Sequence, residues 1–138
     1  MGSIIIKHMN SLDAKVFDTL SNQLGYIPVI NPKISIKGHG KYFINAAPEW
    51  FIGWKIEGYD IFDISSSLIR LSKFGLIELM FDRTASTDKY ETLKSHQELN
   101  NILTIYKISK PSMELEITAT NSVLYVNEYG NQFKNACK

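Results

Sequence analysis

Cysteine is almost missing from this chain: Cys137 stands alone, one residue from Lys138. No disulfide can form within it, and its thiol content gives no sign of an oxidising compartment. Histidine is nearly as scarce. His8, His39 and His96 lie far apart, with no ligand spacing to one another or to the cysteine, so a zinc site has no support. Arginine is limited to Arg70 and Arg83 among 15 basic residues, which face 14 acidic ones. This near-neutral balance, poor in the residue best suited to bidentate phosphate contact, disfavours a nucleic-acid partner. No apolar run approaches the roughly 20 residues needed to span a bilayer, and Ser3–Met9 is too short for a secretory signal. The expectation is a cytoplasmic protein with no membrane partner.

Catalytic signatures are equally sparse. The stretch "KGHGKYF" (37–43) lacks the glycine spacing and the Ser or Thr of a phosphate-binding loop, and Tyr42 continues a strand where such a loop would open a helix. No Gly-x-Ser-x-Gly elbow occurs, and Cys137 has no neighbouring histidine. Glu57, Asp60 and Asp63 are acidic neighbours without the dense spacing of a calcium loop, so they read as solvated charges at strand ends. No cofactor is implied. A hydrolase using His39 or His96 with a carboxylate stays open only as an arrangement that folding would have to assemble.

What the chain does have is an ordinary globular composition, 44% hydrophobic and 21% charged. At 138 residues it fits one domain, assigned here to 10–138. Residues 1–9 admit two origins: an expression tag ending in a His8-Met9 cloning scar, or a native segment with a strand over 3–7. From Asn10 to Gly25, Leu12, Val16, Phe17, Leu20 and Leu24 recur at spacings of three and four, which predicts a helix capped by Ser11 and stopped by Gly25. Pro28 and Pro32 then predict an extended segment away from the centre of any sheet.

Beyond Lys33 the period is two. Ile34 and Ile36 lead into Gly38-His39-Gly40 and out through 42–45, the pattern of a β-hairpin whose turn displays Lys37, His39 and Lys41. The segments 50–58, 59–65 and 67–72 read as three short strands, and 67–82 as a second hairpin across 72–75. A short surface helix is predicted within 86–101. Strands follow at 102–108, 112–119 and 122–128, the second with one wet face. The sum is an α+β fold: an N-terminal helix packed on a curved antiparallel β-meander of about seven or eight strands, interrupted by a short second helix, and able to curl into a partial barrel.

Within this frame the aromatic stretch "WFIGWKIEGYDIF" (50–62) carries the most information. Tryptophan and tyrosine in such density anchor a core or form a contact surface. The leading functional expectation is a small non-enzymatic binding protein acting by protein–protein contact, an inhibitor or immunity-type protein that neutralises a toxin or enzyme. Its candidate contact residues are Lys37, His39, Lys41, Trp50, Trp54 and Tyr59. The alternatives are a small-molecule or lipid carrier, with Trp50, Trp54, Phe62, Leu79 and Phe81 around an apolar pocket inside the curved sheet, and the histidine hydrolase. An exposed edge strand would allow a homodimer. If Trp50 is the core anchor, Trp50→Ala lowers stability by about 3–5 kcal/mol in urea unfolding; a loss below about 1 kcal/mol places the ring on the surface.

Overall fold

The computed structural model describes residues 9–136, with the side chains of all of these except 39–42. The strand considered for 3–7, the tag reading of 1–9 except for Met9, and Cys137 lie outside the described residues. Helix α1 (Ser11–Ser21) leads into strands β1 (Ile27–Ile36) and β2 (His39–Ile44); helix α2 (Ile61–Lys73) precedes β3 (Ile77–Met80). Helices α3 (Lys89–Lys94) and α4 (Gln97–Ser109), strand β4 (Leu115–Val126) and helix α5 (Glu128–Ala136) complete the order. The strands form one open antiparallel sheet in the order β2-β1-β4-β3.

The α+β class and the antiparallel sheet agree with the sequence. The strand count does not. Four strands form among the described residues in place of seven or eight, and the open sheet does not close into a partial barrel. The largest departure is α2, which takes up segments read as two strands and half a hairpin. Its residues Ile64, Leu68 and Leu71 are buried at helical spacing. Asp60 and Asp63 start it as a reciprocal capping box: Asp60 Oδ1 accepts the Asp63 N–H at 2.8 Å, and Asp63 Oδ2 accepts the Asp60 N–H at 2.9 Å. Two of the three acidic neighbours are therefore helix caps, not strand-end charges. Likewise 102–108 belongs to α4, and the two C-terminal strands are one twelve-residue strand, β4.

The prolines of β1 are accommodated by its hydrogen-bonding parity. Ile30, on the same parity as Pro28 and Pro32, sends its N–H to the Phe51 carbonyl (3.0 Å) and not to β4. The missing donors of both prolines thus face away from β4, on a flank where β2 pairs only from Ile34 onward. Across that flank the chain lays Trp50, Phe51 and Ile52. Trp50 and Ile52 enter the cluster built by Val16, Leu20, Val29, Leu68 and Leu124. Phe51 enters a second cluster with Ile30, Tyr90, Leu93 and Leu99. Alternating side chains of one short segment therefore seal both faces of the sheet beside an otherwise open edge.

Trp50 is buried and takes a positive φ of 53°, rare for a bulky residue. Its N–H donates to Asn31 Oδ1 at 2.9 Å, and its ring packs 4.3 Å from that of Phe81. Burial and that hydrogen bond hold the unfavourable backbone in place.

α1 is capped by Asn10, with Ser11 already inside the helix, and its Asp13 is fully buried. The Asp13 carboxylate accepts from Arg70 Nη2 (2.8 Å) and Nε (3.0 Å) and from Ser67 Oγ (2.7 Å), all on α2. α5 closes the far end of α1: Lys134 Nζ donates to the Ser21 carbonyl (2.9 Å), and Phe133 meets Phe17 edge-on at 5.7 Å. No helix of the described residues is long and apolar enough to cross a membrane. Arg70→Ala would strand a buried carboxylate, and a loss of about 3 kcal/mol is expected in urea unfolding at constant m-value. A loss below about 1 kcal/mol would show that Ser67 and Asn10 satisfy Asp13 unaided.

Candidate functional site

The six contact residues expected from sequence fall into two groups, one at the β1–β2 turn and one in the segment joining β2 to α2. At roughly 3.3 Å per residue, the stretch from Pro28 to Lys37 spans about 30 Å, so the groups form no common surface.

The first group sits at the β1–β2 turn. Gly38 adopts φ 81°, as the tight turn requires, and Ile36 pairs with His39. Lys37 is exposed, and its N–H donates to the Glu114 carbonyl at 2.8 Å. His39 and Lys41 lie on β2, their side chains outside the described ones. The Lys37–Glu114 bond brings the turn against the connection from α4 to β4. α4 buries only Leu99 fully, and its C-terminal half leaves Ile105 64% and Ile108 75% exposed. Met113 follows at 42% exposure. Ile105 and Ile108, three residues apart, are neighbours on the helix surface. The exposed Lys107 and Lys110 stand beside them.

The second group belongs to the segment joining β2 to α2. Trp50 is in the core. Tyr59 pairs with Ile56 in an isolated bridge, and its hydroxyl is hydrogen-bonded to Ser11 Oγ at 3.2 Å, which ties the segment to the start of α1. Trp54 is half-buried and walls a cleft of about 370 Å³. The floor is Ile27, Pro28, Ile52 and Leu93; the rim is Gln23, Lys89, Thr92 and His96. His96 is the N-cap of α4, where its Nδ1 accepts the Glu98 N–H at 3.1 Å. That bond leaves the ring proton on Nε2. The imidazole also meets Phe51 edge-on, with centroids 5.1 Å apart.

Gly53 shapes the cleft. Its φ is 78°, and a Cβ there would lie 2.8 Å from Leu93 Cδ2 and 3.6 Å from His96 Cδ2. For the histidine alternative only His96 can be placed, since the His39 side chain lies outside the described ones. Among the described residues, no carboxylate forms an ion pair with His96, and no group of three metal-ligating side chains occurs. Of the five residues expected around a carrier pocket, Trp50 is in the core while Phe62 and Phe81 are exposed. Sequence reasoning missed Ile105, Ile108, Lys89 and Thr92. For the two isoleucines a signal existed: on a helix they fall opposite Leu99, Leu103 and Tyr106. Gly53→Ala should lower stability by about 1–3 kcal/mol, through overpacking and the positive φ, and disturb the His96 ring resonances. An unchanged melting temperature would mean that Leu93 yields freely.

No curated protein matches the chain. One solved structure, of an uncharacterized protein from the hydrocarbon-degrading marine bacterium Alcanivorax borkumensis SK2, aligns over 99% of this chain and 94% of that one. The identity is 13% and the TM-score 0.46. A family model described as "Abortive infection alpha" matches residues 3–137. The chain belongs to that family.

Proposed function

We propose that this member of the abortive infection alpha family acts in phage defence as a non-enzymatic binding protein, an inhibitor or immunity-type protein that holds a toxin or enzyme by direct contact. The observation that carries this is the apolar group Ile105, Ile108 and Met113, exposed at the end of the molecule where the Lys37 turn, the α4 terminus and the start of β4 converge. Two adjacent exposed isoleucines on one helix are the kind of patch that binding buries, at about 1.5–3 kcal/mol for each side chain fully covered. Lys107 and Lys110 are exposed on the same helix end, and Lys37 is joined through its backbone to the exposed Glu114 beside Met113. Three lysines against one glutamate there favour encounter with an acidic partner. In this reading the hairpin contributes Lys37, His39 and Lys41 as expected from sequence, while the apolar centre comes from α4. Cytoplasmic residence, where a phage-borne or host toxin would be met, fits the same proposal.

The test compares wild type with Ile105→Glu/Ile108→Glu and with Lys37→Glu in phage-challenged cells of the source. Plating efficiency and the crosslinked partner are both read. The double variant should lose protection and partner together, by about tenfold or more, corresponding to the first 1.4 kcal/mol of lost contact. Its melting temperature should hold within a few degrees, because exposed positions contribute little to folding. Lys37→Glu should slow association and leave a smaller deficit. Full protection by the double variant would remove this end from the interface. Unaltered plating with and without the wild-type protein would overturn the defence role itself.

A further inference from the structure

The cleft at the other end of β1 has a chemistry of its own, independent of the proposed partner surface. Its volume of about 370 Å³ falls in the range of sites that enclose small organic ligands, and its plan is the usual one: an apolar floor with a few polar groups at the rim. Lys89, Thr92, Leu93 and His96 recur at intervals of three, one and three along α3 and into the start of α4. The spacing puts Lys89, Thr92 and Leu93 on one side of α3, and His96, just beyond its end, joins them and Trp54 in the lining.

Four features define what would fit. Lys89 is the only charged residue in the lining, and among the described residues it has no ion-pair partner. The Thr92 hydroxyl makes no side-chain hydrogen bond to another described residue, so it is free to donate. His96 spends Nδ1 on the α4 cap, which leaves Nε2–H as a donor. Its Cδ2, the ring carbon next to Nε2, lies 3.6 Å from where a Gly53 Cβ would stand, and His96 lines the cleft. Trp54, half-buried, offers a planar aromatic wall. Gly53 supplies the space between them, since any Cβ there would press on Leu93.

We propose that this cleft binds a small aromatic anion, a planar ring bearing one carboxylate or phosphate. The ring lies against Trp54 over the Ile52 and Leu93 floor, and the anionic group reaches Lys89, Thr92 and His96 Nε2–H. A cation is opposed by Lys89, and an uncharged apolar ligand would leave three donors unpaired, which is costly once they are covered.

The experiment is isothermal titration of the full chain with two probes of this chemistry, adenosine 5′-monophosphate for the phosphate class and indole-3-acetate for the carboxylate class. Adenosine, indole and inorganic phosphate serve as half-molecules. Binding of at least one probe with a Kd below about 1 mM is expected, with each half-molecule at least about tenfold weaker. Which probe binds identifies the source of the anion. Lys89→Ala and Thr92→Val alter exposed side chains and should leave folding intact. Lys89→Ala should weaken binding about tenfold, as expected for the loss of a charge-assisted hydrogen bond. Trp54→Leu should do the same, and Trp54→Phe should restore part of the affinity. Amide shifts on titration should centre on Gly53, Thr92 and His96.

Failure of both probes to bind would overturn the proposal. So would affinity unchanged in Lys89→Ala, or shifts confined to the Lys37 and Ile108 end of the molecule. None of these outcomes bears on the Ile105/Ile108 assay, so the two proposals stand or fall separately.

Discussion

A fully buried carboxylate governs the arrangement of this protein. Asp13 is withdrawn from water at the start of α1, and an unpaired charge in that position would cost several kcal/mol. The fold resolves this by bringing α2 across α1, so that Arg70 grips both oxygens and Ser67 adds a third donor. Once that contact is made, the apolar faces of the two helices meet over Val29 and Leu124, and one face of the sheet is covered. Arg70 is well suited to the role because its planar fork meets a carboxylate in two places while its stem lies along the helix. The scarcity of arginine in the chain makes the choice more pointed: one of the two residues of that type is committed to a buried partner.

The second constraint is the uncovered flank of β1. A strand with proline at positions 28 and 32 cannot be paired on both sides along its whole length, and β2 is too short to reach that far. The Trp50-Phe51-Ile52 segment takes the place of a neighbouring strand for the length of one bridge and feeds both cores at once. From there the chain passes Gly53 and Trp54 and reaches Tyr59 at the start of α1. The segment that seals the edge thus also builds one wall of the cleft.

Legibility in the sequence followed the range of the interactions. The hairpin at 37–41 and the helix over 11–21 are set by neighbours in the chain, through glycines and three-and-four spacing, and both are present. The segments 59–72 and 102–108 read as strands because isoleucine-rich runs of six or seven residues suit either state, and their burial is decided by partners far away in sequence. The reciprocal Asp60 and Asp63 caps were the local sign that should have weighed against strands. Nothing in the sequence marks Asp13 as buried, since its partners lie more than fifty residues away. The candidate site was legible to the same degree. Lys37 and Trp54 could be singled out from composition and turn chemistry. Their neighbours Ile105, Ile108, Lys89 and Thr92 could not, because they depend on how α3 and α4 lie on the sheet.

The longest ladder in the sheet joins β1 to β4, with Ile27 opposite Leu124 and Ile36 opposite Leu115. These strands are far apart in sequence, with β2, α2, β3, α3 and α4 between them. Contacts of such sequence separation close slowly, and the loop between them must be gathered first. The β4 flank of β1 therefore stays unpaired until the segment through Val126 is available, and without it β1 pairs only with β2 while β3 has no partner. Any cut or truncation that removes β4 thus takes away the joint of the sheet and leaves the β1–β2 hairpin and β3 with no common partner.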